Sequence, residues 1–308
     1  MTLFLIGKSR RVEWHVVFLH GLEGKAGEHF GICGLSQLQP DSAPFKEFTL
    51  MSKTIPTWPK KHCVNGVSST SLTSWEEFHS IVNVMIDLPH YVFRGQRESN
   101  WLLEPSLARM LKNHPDRSTL IAEHLERFKH ASRGRRGQNP PLILNDDYWW
   151  ALGQHHGLAT PLLDWTNSPY VALFFALEEK SDSDHAIVFA LNTRRIMEAL
   201  NLDELFGDPS DADLTFVRPL SDENSRLVAQ AGLFTRSPIE IDIERWVSKR
   251  FAGESKKVTL LKIFIPKNER IKCLKALNVM NINHTTLFPD LYGAGKHTTE
   301  FLRRSLHQ

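Results

Sequence analysis

Cysteine is scarce in this sequence. Cys33, Cys63 and Cys273 are the three among 308 residues; they lie far apart, are odd in number and show no Cys-x-x-Cys spacing, which excludes a disulfide framework and a thiolate zinc knuckle. That usage fits a reducing cytoplasm. No stretch approaches the run of about 18 apolar residues that a membrane helix needs, so no membrane span is expected. Basic residues are missing ahead of the brief apolar start Met1-Thr-Leu-Phe-Leu-Ile-Gly7, which argues against a secretory signal. Internal repeats are absent as well. Net charge is almost nil, 37 Lys and Arg against 35 Asp and Glu, while 41% of residues are hydrophobic. That content excludes disorder, collagen and coiled coil and describes a soluble chain with material for a core.

What is present is unevenly distributed. Residues 91–137 carry 10 basic against 5 acidic side chains, 138–193 carry 1 against 7, and 226–308 carry 15 against 7. Positive stretches of this kind can meet a polyanion, although a solvated surface gives the same count. Residues 1–50 read as a separate piece. Within it, Trp14-His-Val-Val-Phe-Leu-His-Gly-Leu-Glu-Gly24 is similar to the opening strand and His-Gly loop of an α/β-hydrolase. That fold requires a Gly-x-Ser-x-Gly elbow, and Gly34-Leu-Ser36 and Gly66-Val-Ser68 both lack the closing glycine. Residues 51–72 read as a linker rich in Ser, Thr, Pro and Lys, and Met51 is an alternative start.

Beyond the linker, Ser74-Trp-Glu-Glu77 has the spacing of a capping box, with Trp75, Phe78, Val82 and Met85 at helical intervals behind it. Tyr91-Val-Phe93 reads as a strand delivering Arg94-Gly95-Gln96 to its end. Helices are expected over Leu102–Leu111, over Leu120–His130, through Tyr148-Trp149-Trp150 and over Pro169–Glu178, the last with Pro in its first turn. A loop is expected from Gly153 to Asn167. Strands are expected at Ala186–Leu191, Arg226–Val228, Ile239–Ile243 and Val258–Ile265. Helices first and strands later, without regular βαβ alternation, predict an α+β fold with a mixed or antiparallel sheet flanked by helices.

Two constellations carry chemistry. Arg94 stands at a strand end beside Gly95 and can grip phosphate or carboxylate through two parallel hydrogen bonds; pairing with an internal acid is the structural alternative. The segment from Gln154-His155-His156-Gly through Thr160-Pro161-Leu-Leu-Asp164-Trp165-Thr166-Asn-Ser168 is densely polar and runs into an apolar helix, so its side chains must be paired or used. Trp165 offers a flat ring, Asp164 a carboxylate, and Thr166 and Ser168 hydroxyls, one of which is expected to be the helix N-cap. Adjacent His155 and His156 lack a third ligand at metal spacing, so no metal site is expected.

Phe93-Arg-Gly-Gln96, the Gln154 to Thr160 block, Leu162-Leu-Asp-Trp-Thr-Asn-Ser-Pro169 and the Val-Ala-Leu-Phe-Phe-Ala176 run resemble the FRG domain. Gln230-Ala-Gly-Leu-Phe-Thr235 and Leu287-Phe-Pro-Asp-Leu291 extend that resemblance over residues 73–295, leaving 296–308 as a tail. Pro161 stands where the family carries Arg, which removes a second basic contact. The block order is in turn similar to that of Arg-Ser-Glu ADP-ribosyltransferases. That likeness implies an ADP-ribosyltransferase-like fold and NAD as substrate, with Arg94 as the diphosphate clamp and Gln96, His155, Asp164 and Trp165 around the cofactor. It assigns Thr166 and Ser168 to the segment lining the nicotinamide pocket, and leaves the third catalytic position open among Gln230, Glu240 and Glu244. A protein or nucleic-acid acceptor is implied, together with a toxin or phage-defence setting that has an antitoxin or defence-system partner. The alternative is a non-catalytic module that binds a nucleotide or phosphate ligand in stress or defence signalling.

Overall fold

The computed structural model describes residues 62–200, apart from 89, 138, 139, 141, 143 and 144, together with 213–218 and 232–305. The expectations for residues 1–50, Arg226–Val228 and Gln230 fall outside the described residues. The fold is α+β, a seven-stranded mixed sheet flanked by helices, as the order of elements predicts. Its strands are β1 (Val67–Ser71), β2 (Tyr91–Gln96), β3 (Leu162–Thr166), β4 (His185–Asn192), β5 (Thr215–Val217), β6 (Gly232–Arg236) and β7 (Leu260–Pro266). They lie in the order β1-β7-β4-β2-β3-β6-β5, with β1 parallel to β7 and every other pair antiparallel. The described helices are α1 (Glu77–Ile86), α2 (Ser106–Met110), α3 (Arg117–Ala131), α4 (Asp146–His155), α5 (Pro169–Leu177), α6 (Thr193–Ala199), α7 (Ile243–Arg250), α8 (Arg270–Val279), α9 (His284–Leu287) and α10 (Leu291–Ser305). Among the described residues no helix is long and apolar enough to cross a membrane.

Strand β4 is buried on both faces, as its unbroken apolar run Ala186–Leu191 requires. One face carries Phe93, Val188 and Ile263 against α1, α5 and α8, with Phe78, Phe174 and Leu274 packed among them. The other carries Val92, Trp165, Ile187 and Phe189 against Ile196 of α6 and Trp246 of α7. A third, smaller cluster joins Leu125 and Trp150 of α3 and α4 to Leu162 and Phe234. Helix α5 is apolar all round because it is buried between the sheet and α8.

Several local expectations are corrected. Helix α1 starts at Glu77 with no side-chain cap at the preceding position. Glu77 is held instead by Thr73, whose backbone N–H donates to Oε2 at 3.1 Å and whose hydroxyl donates to Oε1. The capping box expected from Ser74 and Glu77 is therefore not formed. Part of the linker, Val67–Ser71, is an edge strand, stabilised by β7 rather than by any periodicity of its own. The expected loop 153–167 contains β3, and Ile239–Ile243 is no strand: Asp242 accepts from the Arg245 N–H at 3.1 Å and caps α7. The helix expected from Leu102 is confined to Ser106–Met110.

Candidate functional site

The sheet opens between β2 and β3. These neighbours share a single register pair, Phe93 with Thr166, whereas β2 pairs with β4 along all six of its residues. Arg94, Gly95 and Gln96 therefore continue past the point where β3 leaves them. A cleft of about 770 Å³ occupies the opening. Its walls carry the cations Arg94, Arg97, Arg109 and Lys112, the acids Glu104, Asp164, Glu178 and Glu179, and the aromatic residues Trp101, Phe175 and Phe288.

Arg94 belongs to the strand rather than to a loop after it. Its Nη1 donates to the Asp164 carbonyl at 2.8 Å and lies 3.5 Å from Asp164 Oδ2. Burial pulls the guanidinium pKa below its ordinary value; Asp164 opposes that shift, and Arg109 adds to it through like-charge repulsion. Arg94 remains a cation, since guanidinium does not deprotonate in proteins. Its Nε is buried without a hydrogen-bond partner among the described residues, and so is Gln96 Oε1. Gln96 is 6% exposed, and its Nε2 donates to the Leu102 carbonyl at 3.3 Å. A buried donor and a buried acceptor left unmet in one cleft are what a polar ligand would satisfy.

Asp164 is set by the polar segment that precedes it. Gln154 of α4 donates through Nε2 to Asp164 Oδ1 at 2.6 Å and accepts at Oε1 from the hydroxyl of Thr160. Thr160 is fully buried; its N–H donates to Ser106 Oγ at 3.1 Å, and its carbonyl accepts from Leu107 N–H at 3.1 Å. This bracket ties α2, α4 and β3 together beside Arg94. It also carries Arg109 on α2, whose guanidinium donates to the Glu104 carbonyl at 2.6 Å. The second cation that Pro161 does not provide thus enters the cleft from α2.

The remaining expected residues separate. Thr166 lines the cleft, and its hydroxyl accepts from Ser168 N–H at 3.1 Å. Ser168 is the N-cap of α5, accepting from Val171 N–H at 3.3 Å, and is not part of the cleft wall. Trp165 contributes to the wall but is 2% exposed, with its ring in the apolar layer and its indole N–H donating to Thr235 Oγ1 at 2.8 Å. Its flat face is not presented for stacking. His155 ends α4, packs edge-on against His156 and does not line the cleft. Glu240 and Glu244 are also outside the wall, Glu244 pairing with Lys262 at 2.9 Å. Gln230 lies outside the described residues. Among those residues no group of three His, Cys, Asp or Glu side chains is placed to hold a metal ion.

Sequence reasoning missed Arg97, Trp101, Arg109, Phe175, Glu178 and Phe288 in the cleft wall. Arg97 lies over the Trp101 ring at 4.8 Å and pairs with Glu179. The run Leu102–Leu111 shows that α2 is apolar on one side but not that this side docks on Thr160, so nothing local marks Arg109.

The residues built around Arg94, Gly95 and the Gln154 to Asp164 bracket coincide with a family model, that of the FRG domain, matched over residues 89–185. This chain carries an FRG domain. The matched stretch runs from β2 to the first residue of β4 and contains Arg94, Gly95, Gln96, Gln154, Thr160, Asp164 and Glu178. The sequence reading extends the FRG domain over 73–295. β1 and β7, which build one edge of the sheet, and β6 and β5, which build the other, lie outside the 89–185 match. No curated protein and no solved structure matches the chain.

Proposed function

We propose that the FRG domain of this protein binds NAD in the opening between β2 and β3 and transfers its ADP-ribosyl group to a macromolecular acceptor. The observation that carries the reading is the unspent bonding capacity of Arg94 at that opening. One Nη is held by Asp164, Nε is buried without a partner among the described residues, and Arg109 shares the cleft. Two guanidinium groups with donors to spare suit a diphosphate. Phe175 and Phe288 in the lining of the same cleft suit a planar ring. Cleavage of the bond between nicotinamide and ribose passes through an oxocarbenium-like state, and a fixed clamp on the diphosphate leaves the leaving ring held where charge develops.

Arg94→Ala should lower nicotinamide release by at least about 100-fold while leaving thermal unfolding in place, as loss of a charged clamp does. Purified protein that neither binds NAD nor releases nicotinamide would overturn the reading. The acceptor we propose is nucleic acid or protein. The basic blocks 91–137 and 226–308 support nucleic acid. A setting in the cytoplasm, as a toxin or phage-defence component with a cognate partner, belongs to the same proposal.

A second reading is favoured by one observation, that Glu240 and Glu244 stand away from the cleft. In it the same Arg94, Arg109 and Gln96 recognise a nucleotide or phosphate ligand without turnover. Thermal stabilisation by NAD or ADP-ribose without nicotinamide release would establish that reading.

A further inference from the structure

We infer that Glu178 is the carboxylate that acts in this cleft and that His284 is its positioning residue, an assignment that rests on the NAD-cleaving reading above. Four acids line the cleft, and two of them are paired with its cations. Asp164 is held by Gln154 and lies next to Arg94. Glu179 is neutralised by Arg97. Glu104 holds Arg109 through its backbone carbonyl, and among the described residues no hydrogen bond orients its carboxylate, whereas that of Glu178 is held. Glu178 is at the aromatic end, sharing the wall with Phe175 and Phe288.

Its orientation is fixed from three directions. The backbone N–H donates to the Phe174 carbonyl at 2.8 Å, and the backbone carbonyl accepts from Arg270, which also donates to the Leu177 carbonyl at 2.5 Å. On the side chain, Oε2 lies 3.0 Å from His284 Nε2. Oε1 has no hydrogen-bond partner among the described residues. His284 is 6% exposed, with its ring edge-on to Phe174 at 5.0 Å and stacked on Phe288 at 6.1 Å. Enclosed in this way, the imidazole aims an Nε2–H at one carboxylate oxygen and leaves the other for a ligand. A group held by surroundings that are themselves held is how a reacting geometry is kept.

The chemistry balances around that free oxygen. The bond from ribose C1′ to the nicotinamide nitrogen breaks, and its electron pair leaves with nicotinamide, which departs neutral. Glu178 Oε1 accepts from a ribose hydroxyl and faces the positive charge at C1′. The acceptor's N–H or O–H adds to C1′ through its lone pair, and the proton it sheds passes to Glu178 and then to solvent.

Steady-state nicotinamide release from NAD by the full chain tests the assignment, with NAD affinity measured calorimetrically in parallel. Glu178→Gln, which keeps an oxygen for His284, should lower kcat by about 100-fold or more and leave NAD affinity within about threefold, since the lost charge matters to the transition state rather than to binding. His284→Gln places an amide N–H where Nε2 stands and should retain most of kcat, whereas His284→Ala should lose about tenfold in kcat with KM little changed. A wild-type chain that releases no nicotinamide sinks both this assignment and the function beneath it. An active wild type with Glu178→Gln within threefold of it sinks the Glu178 assignment alone. Equal kcat losses in His284→Gln and His284→Ala would make His284 structural only.

Discussion

At the scale of single residues, Gly95 shows why the tripeptide Phe93-Arg94-Gly95 holds together. A Cβ on Gly95 would stand 1.9 Å from the Ala172 carbonyl oxygen and 2.6 Å from the Ala176 nitrogen. Both are backbone atoms of α5, so nothing can move aside without shifting the helix. The glycine is there for helix-on-strand approach and not for a ligand. Phe93 fills the layer beneath α5, Arg94 turns toward Asp164, and Gly95 lets α5 lie close enough to cover Phe93. Gly95→Ala should therefore destabilise the fold by more than about 3 kcal/mol, the range of severe overpacking. Urea unfolding checks this, and a loss under 1 kcal/mol would contradict it. Of the residues read from sequence, Arg94, Gln96, Asp164, Trp165 and Thr166 line the cleft, Trp165 with its ring turned into the core. Arg109 does not announce itself, because its place depends on where α2 docks.

At the scale of elements, the polar segment before α5 divides its labour. The helix start at Pro169 was legible, with either Thr166 or Ser168 as its cap, and the structure makes Ser168 the N-cap. Ser168→Ala should cost about 1 kcal/mol, the usual worth of such a cap, without lowering NAD affinity. Guanidinium chloride denaturation with calorimetry reads both quantities; unchanged stability would remove the capping role, and weakened binding would return Ser168 to the site. β3 was not legible. Leu162-Leu-Asp-Trp-Thr166 buries four of its five residues and exposes only Asp164, so no period-2 alternation marks it. Its strand character comes from five register pairs with β6 on one side and the single contact with β2 on the other. For the same reason the acidic alternation Glu240-Ile-Asp242-Ile-Glu244 was misleading: Asp242 caps a helix there.

At the scale of the whole molecule, the sheet order decides the site. β2 and β3 are separated in sequence by α2, α3 and α4, and placing them side by side opens the cleft along their shared edge. The core beneath α5 and α8 also encloses Cys273, which is fully buried. Burial, joined by repulsion of the thiolate by Glu76 and Glu269, pushes its thiol pKa up to about 12. The sign follows from linkage: folding favours the protonated thiol, so this contribution is intact below the ordinary value of 9.0 and is lost as pH rises toward 12. At pH 8, alkylation of Cys273 followed by peptide mapping should track global unfolding in denaturant, because no local exposure precedes it. Labelling of the native protein within minutes would show that α8 opens separately.

By itself the sequence determined the composition of the core, the α+β class, the start of α5 and the identity of Arg94 and its polar neighbours. These follow from local propensity, capping chemistry and apolar content, each of which is written within a few residues. Tertiary structure alone decided that β2 and β3 part after one register pair, that Trp165 turns inward while Asp164 turns outward, and that Arg109 and Glu178 enter the same cleft. Those outcomes depend on which strands become neighbours and which helices dock on them. They are set by burial of the whole apolar surface at once, a quantity to which no single segment is sensitive.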